Sequence, residues 1–118
     1  MAENITFAAM KKIYHLSTCT TCQRMLKERG AAVKGFVLQD IKTDGITPVQ
    51  LDELKAKTGS YEALFSKRAL KYKELGLKDQ RLTEEDYRRL ILEEYTFLKR
   101  PVIVDGKKVV VGSPGKEY

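Results

Sequence analysis

The segment HLSTCTTCQRML, residues 15–26, holds both cysteines of the chain and its single histidine. Two thiols with two residues between them admit three readings: a redox pair, half of a metal site, or two small apolar residues without chemistry. A stabilising disulfide is the weakest explanation, because a bond from Cys19 to Cys22 closes almost no loop and restrains little of the unfolded chain. A closed zinc site needs a full tetrahedral set of Cys or His ligands, so these residues would have to borrow from a carboxylate or a partner chain. No metal is expected.

The elements around the pair favour the redox reading. Lys12–Leu16 (KIYHL) reads as a strand, and Ser17-Thr18 breaks it. A helix follows from Thr20 or Thr21, with Met25 and Leu26 as its apolar residues, and ends at Gly30. Gly35–Ile41 is a second strand, which completes a strand-helix-strand unit of the kind that builds parallel pairing. The pair therefore lies where a strand hands over to a helix. There the unpaired N–H groups and the positive end of the helix dipole stabilise a thiolate, lowering a pKa from about 8.5 to between about 3.5 and 7.5. Cys19, the more N-terminal, is the candidate nucleophile. Cys22, one turn on, is placed to resolve a mixed disulfide or a sulfenic acid formed on Cys19. His15 lies at the strand end, where it is either a structural histidine or a hydrogen-bonding neighbour of the thiols.

Downstream, Thr47-Pro48 opens a helix with the cap and first-turn residues that suit it, Leu51 and Leu54 lie on one face, and Gly59 ends it. One or two short helices occupy Tyr61–Leu75 and close at Gly76. Thr83-Glu84-Glu85-Asp86 starts another helix, with acids in the first turn and Leu90 and Ile91 facing inward. Pro101–Val104 and Lys108–Val111 then flank Asp105-Gly106, a strong hairpin signal. The order β-α-β, helices, β-β is that of a thioredoxin-like α/β domain with an enlarged connection.

Arg100-Pro101 forms a second constellation at the entry to a strand, where proline is tolerated. Arg100 could lower the Cys19 pKa and grip an anion through paired hydrogen bonds; otherwise Lys99-Arg100 is a solvated pair. Lys67, Arg68, Lys71 and Lys73, interleaved with Tyr72, form a third cluster. This run reads first as the wet side of a helix, with docking of an acidic protein face as the alternative; direct nucleic-acid binding is not expected.

The composition, 42% hydrophobic and 32% charged over 118 residues, is that of a single folded domain. The expected layout is a flexible extension at 1–10 followed by one domain at 11–118. No apolar run approaches membrane-spanning length, so no membrane association is expected. The segment MAENITFAAMKK reverses the charge order of a secretory signal, and the expected location is the cytoplasm. A formal net charge of +6 favours a small anionic or thiol substrate, or an acidic partner.

The segments KIYHLSTCTTCQRML, SKRALKYKELGL and FLKRPVIVDGKKVVVG together resemble the arsenate reductase (ArsC) and Spx family of thioredoxin-like proteins, from about Lys11 to Gly112. The resemblance implies a mixed four-stranded sheet with a helical insertion between strands 2 and 3. It also implies that Cys19 is the nucleophile and that Pro101 is a cis-proline on the substrate side. Arg100, Pro101, Thr20 and Thr21 become the candidate substrate-binding residues. Glutaredoxin-coupled arsenate reductases follow their cysteine with C-x-x-x-R and carry further oxyanion-holding arginines. The positions here that match those arginines are Gln23, Glu62 and Gly112, with Arg100 alone matching as an arginine. The implied activity is thiol-dependent reduction of an oxyanion or a disulfide. No bound cofactor is expected, and an external reductant of glutathione, glutaredoxin or thioredoxin type would complete the cycle. Spx-type regulators use C-x-x-C as a redox switch and bind RNA polymerase, which makes such a regulator the alternative; Spx continues into a further helix beyond the point matching Tyr118.

Overall fold

The computed structural model describes residues 11–30, 34–112 and 115–118. The expected extension at 1–10 lies outside the described residues. The chain divides into two compact units, Met1–Asp44 with Arg100–Tyr118, and Gly45–Lys99.

The first unit is built on a mixed sheet of order β2-β1-β3-β4-β5. Strand β1 (Lys11–His15) pairs in parallel with β2 (Val37–Asp40), His15 standing opposite Asp40. It pairs antiparallel with β3 (Val102–Asp105), Ile13 opposite Ile103. The α1 helix (Thr20–Arg29) connects β1 to β2. Ile13, Val102, Val104 and Val109 are almost wholly buried, as expected of β-branched residues on central strands. The edge strand β2 is shorter than its apolar run suggested, and Val37 and Leu38 remain 61% and 51% exposed. In α1 only Cys22 is buried, while Met25 and Leu26 are half-covered.

The hairpin from β3 to β4 (Lys108–Val111) forms one residue later than the dipeptide signal implied. Asp105 pairs with Lys108, so Gly106-Lys107 is the two-residue loop. Gly106 has φ 63°, and no non-glycine residue among those described has positive φ. Positive φ at the first central residue alone is the pattern of a type II′ turn, which places glycine there.

The sheet has five strands where four were expected. The extra one, β5 (Lys116–Glu117), pairs with β4 through Val110 opposite Glu117 and Val111 opposite Lys116. Two exposed polar residues carry no strand signal of their own; the unpaired groups of the β4 edge supply the partners. Gly115 lets the chain approach, since a Cβ there would lie 2.4 Å from Val110 Cγ1.

The second unit is the helical insertion between β2 and β3. Its α2 helix (Pro48–Thr58) begins with a capping box in which Thr47 and Gln50 satisfy each other's backbone N–H, and ends at Gly59 with φ 94°. A 3-10 turn at Glu62–Leu64 and the short α3 helix (Leu70–Glu74) follow. The α4 helix (Glu84–Glu93) opens with the reciprocal pair Thr83 and Asp86 and buries Tyr87, Leu90 and Ile91. The unit gathers around Phe65, whose ring stacks on Phe97 at 4.9 Å and meets Tyr87 at 4.9 Å and Tyr72 at 5.9 Å. Hydrogen bonds from Ser66 N to Phe97 O and from Lys99 N to Leu64 O tie the two ends of this stretch together.

Candidate active site

Local backbone geometry sets Cys19 at the start of α1. Its N–H donates to Leu16 O at 2.9 Å, which turns the chain after β1, and its own carbonyl accepts the first helical bond from Gln23 N at 3.0 Å. Cys19 is therefore the N-cap residue, with extended φ and ψ of −87° and 116°. No side chain closes this cap by a hydrogen bond, and no acid stands in the first turn. The helix start thus keeps its positive end open to a thiolate.

The two thiols are unlike. Cys19 is half-buried and Cys22 fully buried, and both are free. Partial burial works against ionisation of Cys19. It is outweighed by the Cys22 N–H, the Cys22 thiol, the Arg100 guanidinium and the Thr21 N–H, so the Cys19 pKa is held below that of an ordinary thiol. Burial pushes Cys22 up to about 11; hydrogen bonding and charge repulsion from Cys19 add to the rise, against the opposing Leu16 backbone and Arg100 charge.

Arg100 is brought to Cys19 by the pairing of β3 with β1, although the two are far apart in sequence. The Arg100–Pro101 peptide bond is cis, Pro101 is buried, and its carbonyl accepts from Gly112 N at 2.9 Å. Thr21 contributes a backbone N–H to the thiolate environment, while Thr20 is exposed at the first turn. His15 closes the parallel pair by accepting Ile41 N at 2.9 Å, and its Nδ1 is buried without a hydrogen-bond partner among the described residues.

The three positions matched to oxyanion-holding arginines have other occupations. The Gln23 amide donates to the Ser17 carbonyl. Glu62 pairs with Lys67 at 3.0 Å. Gly112 has φ 82°, a conformation that disfavours any side chain. The basic run is partly neutralised, Lys67 by Glu62 and Lys71 by Glu74 at 3.5 Å. Among the described residues, no group of three or more His, Cys, Asp or Glu could hold a metal, and no helix is long and apolar enough to cross a membrane.

Sequence reasoning missed Ser17, Gln39 and Asp40 as supports of this end of the sheet. Asp40 Oδ1 accepts from Lys42 N at 3.1 Å, and the buried Gln39 donates through Nε2 to Asp44 O at 2.9 Å. An aspartate at a strand end followed by a turn was the available signal for Asp40.

The ArsC family model matches residues 14–118, which include both cysteines, Arg100 and Pro101. The chain belongs to the ArsC family. It is 32% identical over 111 residues to an arsenate reductase of Neisseria meningitidis serogroup A, covering 87% of this chain and 90% of that protein. It is 28% identical over 108 residues to the global transcriptional regulator Spx of Bacillus subtilis, covering 87% and 79%. The structure of a possible arsenate reductase from Streptococcus mutans UA159 superposes with a TM-score of 0.72 at 26% identity, covering 88% of this chain and 91% of that one. These likenesses establish the thioredoxin-like α/β fold of the family with its mixed sheet.

Proposed function

We propose that this ArsC-family protein is a thiol-dependent oxidoreductase in which Cys19 is the nucleophile and Cys22 the resolving thiol. The observation that carries the reading is the asymmetry of the pair: one thiol half-buried at an open helix start beside Arg100, the other fully buried one turn along, an arrangement that favours the thiolate at Cys19 and disfavours it at Cys22.

For a disulfide substrate, the Cys19 thiolate attacks one sulfur, the substrate S–S bond breaks, and the departing thiolate takes a proton. Cys19 is then held in a mixed disulfide and has lost its negative charge. That removes the Cys19 charge and hydrogen bonding that raise the Cys22 pKa, so Cys22 becomes easier to ionise at the step that needs it. The Cys22 thiolate attacks Cys19 Sγ, the second substrate thiol leaves, and a Cys19–Cys22 disulfide remains. Two electrons have passed from the protein thiols to the substrate. For arsenate, Cys19 adds to arsenic with loss of water; Cys22 then attacks the Cys19 sulfur, the S–As bond breaks, and arsenite leaves with the electron pair. In either case an external thiol of glutathione, glutaredoxin or thioredoxin type restores the dithiol, which suits a cytoplasmic setting. Arg100, Pro101, Thr20 and Thr21 form the substrate side, Arg100 offering its guanidinium to an anionic or thiol substrate.

Similarity to Spx supports a second reading, a redox-gated regulator that uses the same disulfide to alter a contact with RNA polymerase. Alkylation of the reduced protein, scanned over pH and resolved by mass spectrometry, tests the shared chemistry. Fast modification of Cys19 below the ordinary thiol midpoint, with closure of the disulfide under mild oxidant, is expected; ordinary titration of both thiols would overturn both readings. Turnover of disulfide or arsenate with a regenerating thiol then separates them, because an enzyme must cycle and a regulator need only switch.

A further inference from the structure

Ser17 is the hinge of the turn that delivers Cys19. It follows Leu16, whose carbonyl holds the Cys19 N–H, and precedes Thr18, and both Ser17 and Thr18 are exposed. One side chain bonds Ser17 and a second is carried to the same turn by the sheet register. From α1, Gln23 reaches back over the helix start and donates its amide N–H to the Ser17 carbonyl. From the end of β2, Asp40 is set beside the same segment by the parallel register that pairs it with His15 and by the bond from Ile41 N to His15 O. Its carboxylate is steadied by Lys42 N at 3.1 Å.

We infer that Gln23 and Asp40 are positioning residues that clamp Ser17 from two sides and thereby hold the Cys19 sulfur against the N–H groups of the first turn of α1. This rests on the proposed role of Cys19 as nucleophile. In support, the Ser17 hydroxyl is the foremost influence holding the Asp40 carboxyl below its ordinary range, with Lys42 N and Ser17 N acting in the same direction and His15 adding its charge. The physical logic is one of alignment. Helix-start donors favour a thiolate only over a short range, so a turn free to swing would lose part of that stabilisation each time it moved. Gln23 is here committed to the backbone that carries the nucleophile.

The test is the pH profile of Cys19 alkylation by iodoacetamide in the reduced full chain, with thermal unfolding measured on every variant. Gln23→Met keeps side-chain length and loses the donor. Asp40→Ala loses both charge and acceptor, whereas Asp40→Asn loses the charge and keeps the acceptor. Relative to the wild type, Gln23→Met is expected to slow alkylation at pH 7 roughly two- to tenfold and to raise its midpoint by up to about one pH unit, the scale of one hydrogen bond. Asp40→Ala should show the same change relative to Asp40→Asn, a comparison that cancels the effect of charge. Ser17→Ala, which leaves the Asp40 charge in place, supplies an independent readout, its midpoint raised relative to the wild type. A midpoint that stays at the wild-type value in Gln23→Met and Ser17→Ala, or that moves equally in both Asp40 variants, overturns the clamp. An ordinary thiol midpoint in the wild type would instead overturn the nucleophile reading on which the clamp rests.

Discussion

Arg100 and Arg88 show how one side chain serves two purposes in two regions of the molecule. In the helical insertion, Arg88 donates from Nε to Asp52 Oδ1 at 2.8 Å and from its terminal nitrogen to Oδ2 at 3.2 Å, while Tyr61 donates its hydroxyl to the same carboxylate at 2.6 Å. That partner is permanently ionised near neutral pH; Arg88 and Tyr61 hold its carboxyl down to about 2. The arginine there is a brace joining α2, α4 and the turn before Glu62. In the sheet unit, Arg100 faces a thiol whose charge is optional. A cation beside a group that titrates does more than hold position, because it changes the fraction of that group in its reactive form.

Perturbing each region in turn tests the contrast, and the largest effect belongs to the thiol. Cys19→Ser is expected to reduce thiol-dependent turnover to background while the far-UV circular dichroism stays native; undiminished turnover would remove Cys19 as nucleophile. Cys22→Ser should instead trap a mixed disulfide visible by mass spectrometry. In the insertion, Phe65→Ala removes the ring shared by Phe97, Tyr87 and Tyr72 and should cost about 3–5 kcal/mol in denaturant unfolding. A loss near zero would show that the aromatic cluster is not the anchor of that unit.

Smaller effects sharpen the comparison of the arginines. Arg100→Ala should raise the Cys19 alkylation midpoint and slow its reaction at pH 7 several-fold, with little change in unfolding; an unmoved midpoint would make Arg100 a brace like Arg88. Thr83→Ala breaks the capping box of α4 and is expected to lower stability by about 1 kcal/mol, read as a shift of the urea midpoint at constant slope. The last effect depends on pH. The folded-state pKa of Asp52 is depressed, so its contribution to stability is present above the ordinary carboxylate range and is lost as pH falls towards about 2. Asp52 and Arg88 are both substantially exposed, which keeps that contribution small. Asp52→Asn should slightly flatten the loss of stability between about pH 4 and pH 2. Equal acid sensitivity in the two proteins would show that the brace is fully screened.

Much of the fold was legible because its signals are local. Thr47-Pro48 and Thr83 with Asp86 mark helix starts through bonds that reach only three residues. Gly30 and Gly59 mark helix ends for an equally local reason. The hairpin was legible to within one residue, since Asp105-Gly106 names the turn but cross-strand pairing decides which residues occupy its centre. The strand β5 was not legible, because Lys116 and Glu117 acquire strand character only from the neighbouring edge of β4. The family resemblance marks Gln23 only as a departure from an arginine position; its bond to Ser17 depends on how the turn folds back over the helix.

The sequence by itself determined that a thiol would stand at a helix start after a strand, since two residues of spacing and a short strand-helix junction are enough to specify that geometry. Only the tertiary structure decided how differently the two cysteines are surrounded. Cys22 has a raised pKa because the fold buries it, and Cys19 a lowered one in part because β3 pairs with β1 and brings Arg100 to it from the far end of the chain. Burial and long-range charge are sums over neighbours that a linear spacing does not contain.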